Sequence, residues 1–271
     1  MNLGTISEVL RPRTLDQIDG WRDGYAWLAG GTWLFSEPQV DRDTLIDLDG
    51  LCWPALTVTE AGLEIAATCR IAELDDLTGP QEWSALPLKG DCARSLLASF
   101  KIWNAATVGG NICMSLPAGA MISLTTALEG VYTLWPREGE PREVAAVDFV
   151  TGDHANVLAP GELLRSITIP NAALAKRYVF RQQSLVKHGR SAALIIGTCG
   201  QDGSDFRLTV TAATPRPIQF VYDTVPTHAE LRGDITRRLS EEDYFHDVNG
   251  SARYKQHLTY YFSEQIRMEL S

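Results

Sequence analysis

The chain has 271 residues, of which 45% are hydrophobic and 21% charged, and this ordinary globular composition predicts one large or two modest folded domains. Its formal net charge of −10 excludes a nucleic-acid or anionic-membrane surface, because such binding rests on clustered Lys and Arg. The sequence contains no apolar run of signal-peptide length and none that could span a bilayer, so a cytoplasmic protein is expected.

The first half of the chain alternates between strand-like and helix-like patterns. The first fifty residues predict a short α/β unit, in which 25–31 and 44–50 are strand-like. An alternating pattern around Ala61-Gly62 predicts a β-hairpin over 56–67. Apolar residues at spacings of three and four predict helices over 69–77 and 84–105. The glycine pair at 109–110 follows the second of these helices.

The second half begins with a predicted helix from Pro117 to Gly130, which stand at the usual places for a helix start and stop. Strands are expected next at 131–136, 142–150 and 162–170, and a domain boundary near 171. Three extended runs then predict an antiparallel meander, at 177–185, 192–200 and 205–220. A long helix over 251–270 completes the chain, so helices are expected on one side of that sheet.

The side chains that usually hold metals or catalyse reactions show no recognisable pattern. Five cysteines lie far apart and form no C-x-x-C pair, which predicts reduced thiols: Cys52, Cys69, Cys92, Cys113 and Cys199. His154 and His188 have no matched partner in the sequence, and no P-loop or G-x-G-x-x-G fingerprint is present. No metal site and no catalytic residue are therefore predicted.

Two glycine pairs, in "AGGTW" at 29–33 and "TVGGN" at 107–111, are the strongest functional signal. Paired glycines allow positive φ angles and bring backbone N–H groups close to a ligand, and several such groups form a concave anion site suited to a pyrophosphate. Thr32, Thr107 and Asn111 add neutral donors, so an acidic protein could bind a phosphorylated cofactor without lysine. The alternative is that each pair only makes a tight turn.

Four segments carry a resemblance to a known family: "LAGGTWLF", "ATVGGNICMSLPAGAMISLTTALEG", "LAPGELLRSITIP" and "GSARYKQHLTYYF". In this order they resemble the FAD-binding medium subunit of molybdenum hydroxylases, which includes the medium subunit of carbon monoxide dehydrogenase and the matching domain of xanthine dehydrogenase. The match runs from about residue 5 to about residue 265.

The resemblance implies an α+β fold. Two small α/β subdomains of the vanillyl-alcohol oxidase/PCMH type, at about 1–52 and 53–170, would enclose an extended FAD. A C-terminal domain at 171–271 would contain a three-stranded antiparallel sheet and helices.

It also implies the residues that contact FAD. The two glycine loops would cradle the pyrophosphate, and two further side chains would lie near the flavin. The expected cofactor-binding residues are Ala29, Gly30, Gly31, Thr32, Trp33, Thr107, Val108, Gly109, Gly110, Asn111, Leu164 and Arg181. Leu164 could equally be a core residue and Arg181 a solvated cation.

Three positions depart from the family pattern. Trp33 stands where a small polar residue is usual, and Ala120 replaces an aspartate near the ribose. Trp103 occupies the place of a basic residue that commonly precedes the second loop. Loss of the aspartate removes one cofactor hydrogen bond, worth about 1 kcal/mol.

The implied function is that of an oxidoreductase subunit. A large partner would carry the molybdenum cofactor and oxidise the substrate, and a small partner with [2Fe-2S] clusters would pass electrons to FAD in this chain. FAD would then reduce an external acceptor, which the sequence does not identify, and a doubled heterotrimer is expected. Two alternatives stay open, which are an FAD-free scaffold subunit of such a complex and a free-standing flavin oxidase.

Overall fold

The computed structural model describes residues 4–96, 98–187 and 189–271, so the candidate His188 lies outside the described residues. Its first sheet has three parallel strands in the order β1-β3-β2. The strands are β1 (Glu8–Leu10), β2 (Tyr25–Leu28) and β3 (Thr44–Asp47). Short 3-10 helices at Leu15–Gln17 and Leu48–Leu51 provide the only helical turns described in this part of the chain.

The second sheet has five antiparallel strands in the order β4-β5-β10-β6-β7. A separate two-stranded ribbon, β8-β9, follows β7. The strands are β4 (Leu56–Val58), β5 (Gly62–Ala66), β6 (Val131–Trp135), β7 (Arg142–Ala145), β8 (Val150–Gly152), β9 (Ala155–Asn156) and β10 (Leu163–Pro170). The predicted hairpin over 56–67 is confirmed, whereas the strand predicted over 142–150 is interrupted by a helix.

Helices pack against this sheet to form the first hydrophobic core. They are α1 (Ile71–Asp76), α2 (Leu88–Ser95), α3 (Phe100–Trp103), α4 (Val108–Cys113), α5 (Ala120–Ala127) and α6 (Ala146–Phe149). The continuous helix predicted over 84–105 is wrong, because α2 and α3 are separate. The glycine pair was expected in a loop after that helix, but it lies inside α4.

The C-terminal part begins with α7 (Asn171–Leu174) and contains a sheet of four antiparallel strands rather than three. They are β11 (Arg177–Ser184), β12 (Ser191–Cys199), β13 (Ser204–Thr211) and β14 (Ile218–Thr224). The extended run predicted over 205–220 contains nearly all of β13 and the start of β14. Ala212, at a φ of 62°, and the two prolines that follow it turn the chain between them.

The helices of the C-terminal part cover one face of this sheet, as predicted. They are α8 (His228–Arg238), a 3-10 turn (Glu241–Asp243) and α9 (Ala252–Leu270). Every residue of β12 is buried, because side chains of alternate residues point to opposite faces of the sheet and both faces pack against a hydrophobic core. Leu194 and Ile196 join the first core, and Ala193 and Ile195 join the core beneath α9.

Two further observations concern the molecule as a whole. The α+β fold class is confirmed, while the domain limits at 170 and 171 stay a prediction. Among the described residues, no helix combines the length and the apolar composition needed to cross a lipid bilayer.

Candidate functional site

The two glycine loops meet in the structure. The first leaves the carboxyl end of β2, and the second begins just after Ala105. A Cβ atom added to Gly30 would lie 1.9 Å from the carbonyl oxygen of Ala105 and 2.8 Å from its carbonyl carbon. Because these atoms belong to the backbone, only glycine allows the two loops to approach so closely.

Backbone N–H groups of the first loop are unpaired. Gly31 has a φ of 68°, and the loop closes with a hydrogen bond from the Phe35 amide to the Gly31 carbonyl, 2.8 Å long. Among the described residues, no acceptor meets the amides of Gly30, Gly31, Thr32 and Trp33. Successive amides of this kind can form a concave anion site, and anion binding at this loop stays a prediction.

The second loop is arranged differently, because four of its five backbone amides, those of residues 108–111, already have acceptors. Thr107 is the N-cap of α4, and its hydroxyl oxygen accepts the amide of Gly110 at 3.1 Å. The amides of Val108, Gly109 and Asn111 donate in turn to the carbonyls of Cys69 (2.8 Å), Ala67 (2.9 Å) and Thr107 (3.0 Å). Among the described residues, the Thr107 amide alone of these five has no acceptor, and contact between this loop and a cofactor stays a prediction.

Packing and helix capping account for most of the second loop's sequence. A Cβ atom on Gly109 would lie 2.4 Å from the Cβ of Ala67, whereas one on Gly110 would meet only the Thr107 hydroxyl. The Asn111 side chain accepts the amide of Met121 at 2.9 Å and so joins α4 to α5. The loop can still offer a ligand the backbone amide and hydroxyl hydrogen of Thr107 and the side-chain Nδ2 of Asn111.

A cleft of about 300 Å³, here called the glycine-loop cleft, opens where the loops meet. It lies at the carboxyl ends of β2 and β3, where ligands of sheets with parallel strands usually bind. Its walls include Leu28, Ala29, Gly30, Asp47, Arg70 and Thr107.

Two arginines and two aspartates line the glycine-loop cleft: Arg11, Arg70, Asp47 and Asp49. Arg11 lies 3.4 Å from a carboxylate oxygen of Asp47 and 2.7 Å from one of Asp49. Arg70 is exposed, and no carboxylate among the described residues lies within ion-pair distance of it. The cleft therefore has one cationic side chain available to an anionic ligand.

Sequence analysis missed Arg70 because no local pattern marks it. Its position depends on an isolated antiparallel bridge between Arg70 and Thr107, which brings the start of α1 beside the start of α4. Only the arginine directly before a helix start, in "TCRIAE", could have pointed to it.

Leu164 and Arg181 do not line the glycine-loop cleft. Leu164 is 1% exposed and belongs to the first core, in agreement with its alternative assignment. Arg181 pairs with Ile195 on β12, whose side chain faces α9, and it hydrogen-bonds to Gln265 and Glu269 of that helix. Arg181 thus lies on the sheet face turned away from the glycine loops.

Trp33 extends the first loop towards a second cleft. Its ring is 5.8 Å from the ring of His154, which lines a cleft of about 270 Å³ together with Pro117, Arg190 and Asp247. Trp33 is 37% exposed, so a ligand can reach it. Loop 29–33 therefore leads from the glycine-loop cleft to the His154 side of the molecule, a path suited to an extended ligand.

Among the described residues, no group of three His, Cys, Asp or Glu side chains could hold a metal ion.

The cysteine thiols differ in exposure, since Cys52 is exposed while Cys69, Cys92 and Cys199 are buried. Burial raises the pKa of the Cys69 and Cys113 thiols to about 12 and the pKa values of Cys92 and Cys199 above their usual range.

Iodoacetamide is accordingly expected to modify Cys52 well before the other four cysteines, because the thiolate is the reactive form. Mass spectrometry of the native protein over a time course measures this order. Urea-unfolded protein, in which all five should react, is the control. Equal labelling of Cys69 and Cys52 in native protein would contradict the burial described above.

The fold and this site define an α+β protein with a cleft at the carboxyl ends of parallel strands, beside a loop whose amides have no acceptor among the described residues. Residues 5–172 match the family described as FAD binding domain in molybdopterin dehydrogenase, and the chain belongs to this family.

Curated relatives are subunits of oxidoreductases. The carbon monoxide dehydrogenase medium chain of Hydrogenophaga pseudoflava is 25% identical over 191 residues, which are 68% of this chain and 63% of that one. Caffeine dehydrogenase subunit beta of Pseudomonas sp. strain CBB1 is 28% identical over 141 residues, 51% of this chain and 47% of the relative. The matches thus span less than two thirds of either relative.

Solved structures share the fold over the whole chain. A reconstituted carbon monoxide dehydrogenase from Oligotropha carboxidovorans aligns with a TM-score of 0.81 and 20% identity, covering 99% of both chains. Quinoline 2-oxidoreductase from Pseudomonas putida 86 aligns with a TM-score of 0.78 and 19% identity, covering 100% of this chain and 98% of the other.

Proposed function

We propose that this chain is the FAD-carrying electron-transfer subunit of a molybdenum hydroxylase. In this proposal it receives electrons from a [2Fe-2S] partner and passes them to an external acceptor. The observation that carries the proposal is the run of four unpaired amides at 30–33, beside a cleft at the carboxyl ends of parallel strands.

The residues fit the phosphate part of FAD. The amides from Gly30 to Trp33 would donate to diphosphate oxygens, the Thr107 hydroxyl would donate from the opposite loop, and Arg70 would offset the negative charge. When bound, the flavin supplies the ability to hold one or two electrons. The chain itself binds and orients the cofactor, and no proton transfer by its side chains is required.

Two departures from the family pattern, Trp33 and Ala120, affect this arrangement in different ways. Trp33 contributes through its backbone amide, so its large side chain does not remove the anion site. Ala120 is fully buried at the start of α5 and offers no hydrogen bond, so the ribose is expected to be held less tightly there.

The partners form part of the proposal. A large subunit with the molybdenum cofactor and a small iron-sulfur subunit are expected because the relatives are the medium chain of carbon monoxide dehydrogenase and a subunit of caffeine dehydrogenase. The doubled heterotrimer, the domains at 1–170 and 171–271, and the cytoplasmic location stay predictions.

The first test is an absorption spectrum of the purified full chain, followed by chromatographic identification of any released flavin. One FAD per chain is expected. A chain that binds no added FAD, alone or with its co-expressed partners, would leave the scaffold as the better function. Oxidation of a substrate by the yellow chain alone would instead favour the free-standing oxidase.

Arg70→Gln is expected to weaken FAD binding about tenfold, because it removes one charge-assisted hydrogen bond at an exposed site. The salt dependence of binding should also fall. Fluorescence titration of the deflavinated chain at two ionic strengths measures both effects. Arg70→Lys, which keeps the charge, and Arg216→Gln, an exposed arginine outside the cleft, are the controls. Unchanged affinity in Arg70→Gln would show that Arg70 does not contact the cofactor.

A further inference from the structure

An aromatic side chain lies in the wall of the glycine-loop cleft. Among the described residues that line this cleft, Phe35 alone has an aromatic ring, and it is 44% exposed. A ligand in the cleft can therefore reach the ring. Single exposed apolar side chains are common on protein surfaces, so the surroundings of Phe35 decide whether it has a role.

Hydrogen bonds on both sides of Phe35 hold its backbone in place. The Phe35 amide donates to the Gly31 carbonyl at 2.8 Å. The next residue, Ser36, donates to the Trp33 carbonyl from its amide at 2.8 Å and from its hydroxyl at 2.7 Å. This turn is formed without a ligand, so binding does not have to order it.

The ring of Phe35 lies against the backbone of Gly31. A Cβ atom added to Gly31 would lie 2.5 Å from Cε2 of the ring and 2.9 Å from Cδ2. One edge of the ring thus rests on the loop whose amides have no acceptor among the described residues. Groups attached to a phosphate at these amides would therefore lie beside the Phe35 ring.

The rest of the cleft combines apolar surface with polar groups. Leu28 and Ala105 contribute aliphatic surface, and Asn104 and Asp47 contribute groups that form hydrogen bonds. The volume of about 300 Å³ is that of a small ligand pocket. A planar heteroaromatic ring matches such a lining, because its faces are apolar and its edges form hydrogen bonds.

We infer that Phe35 stacks on a planar heteroaromatic ring of the bound cofactor and contributes to cofactor affinity through this contact. The inference rests on the proposed function, because FAD supplies the ring. FAD has two such rings, adenine and isoalloxazine, and both are joined to the diphosphate. Trp33 would contribute through its backbone amide, whereas Phe35 contributes through its side chain.

Isothermal titration of the deflavinated full chain with FAD tests this inference. Phe35→Ala is expected to weaken FAD binding about tenfold, the loss typical of one stacked ring. Phe35→Leu, which is apolar but has no flat ring, should weaken binding about as much. Phe35→Trp should bind FAD at least as tightly as the wild type. Phe100→Ala is the matched control with wild-type affinity, since Phe100 is 72% exposed and lies outside the cleft lining.

Titration of the same variants with ADP identifies the ring. ADP has the adenine and the diphosphate of FAD but no isoalloxazine. If Phe35→Ala weakens ADP binding about tenfold, Phe35 stacks on adenine. If ADP binding is unchanged while FAD binding falls, Phe35 stacks on the isoalloxazine. Either result supports the inference.

Wild-type FAD affinity in folded Phe35→Ala or Phe35→Leu would overturn the inference and leave the proposed function intact. Equal losses in Phe35→Leu and Phe35→Trp would also overturn it, because the fit of the side chain in the turn would then be the cause. A wild-type chain that binds no FAD, alone or with its co-expressed partners, would overturn both. Far-UV circular dichroism verifies folding, and if Phe35→Ala does not fold, Phe35→Leu and Phe35→Trp decide the question.

Discussion

Gly30→Ala is expected to reduce FAD affinity about a hundredfold, which corresponds to about 3 kcal/mol. The added methyl group would lie 1.9 Å from the Ala105 carbonyl oxygen. No side-chain rotation can relieve this contact, because the backbone fixes the positions of both the Cβ atom and the carbonyl oxygen. The two loops must then move apart. The Thr107 hydroxyl and the amides of 30–33 could no longer meet the same diphosphate.

Equilibrium titration of the deflavinated chain with FAD measures this loss. Gly4→Ala is the control, since a Cβ atom there meets nothing within 4 Å and the position lies outside the loops. Gly110→Ala should have a smaller effect than Gly30→Ala, because its Cβ would meet only the Thr107 hydroxyl, at 2.8 Å, and no backbone atom. Wild-type affinity in a folded Gly30→Ala protein would show that close loop contact is not needed for binding.

Local sequence was sufficient to indicate a tight glycine turn at the first loop, whereas its contact with a cofactor was implied by the family resemblance and stays a prediction. Two adjacent glycines directly after a strand predict a turn with free amides, and this depends only on residues close in the chain. The second glycine pair looked similar but differs in structure. The amides of Val108 and Gly109 are satisfied by the carbonyls of Cys69 and Ala67, which come from a different segment of the chain. No pattern within 107–111 could have shown that these acceptors would be there.

The positions of Arg181 and Arg70 likewise depend on pairing between distant segments of the chain. Arg181 fits its expected strand, but the face it occupies depends on the register between β11 and β12, in which Arg181 pairs with Ile195. Arg70 reaches the glycine-loop cleft only through its bridge to Thr107. In both cases the residue type was visible in the sequence, while its neighbours were fixed by long-range pairing.

A second large effect is expected in the C-terminal part, at Lys255. This side chain is fully buried, and its Nζ atom lies 3.0 Å from Asp247 Oδ1 and 3.2 Å from the carbonyl of Ala212. Ala212 has a φ of 62°, and its amide donates to the Pro117 carbonyl at 2.8 Å. Lys255 therefore holds a strained turn that links the C-terminal sheet to the segment before α5.

Lys255→Met, which keeps the apolar stem and removes the charge, is expected to lower the free energy of unfolding by about 3 kcal/mol. The reason is that Asp247 and the Ala212 carbonyl would lose their shared donor. Urea denaturation at neutral pH measures the change. Lys101→Met, an exposed lysine of α3, is the matched control and should stay within about 0.5 kcal/mol of the wild type.

The pH dependence separates the ion pair from simple loss of packing. Burial raises the pKa of Asp247, but hydrogen bonds from Asn249 and Lys255 outweigh it, so its pKa lies below the usual value. The stability that this pair contributes is thus fully present above the unfolded pKa of about 4 and is lost as pH falls through the lower folded pKa. The difference between wild type and Lys255→Met should therefore shrink below about pH 4.

A double-mutant cycle measures the coupling energy between Lys255 and Asp247. Asp247→Asn and Lys255→Met are expected to couple, so that the double variant loses less stability than the sum of the single variants. Additive losses, together with a wild-type-to-variant difference that does not change with pH, would show that Lys255 acts through packing alone. Coupling would instead show that a buried charge pair fixes the turn at Ala212, which the apolar pattern of β13 and β14 does not specify.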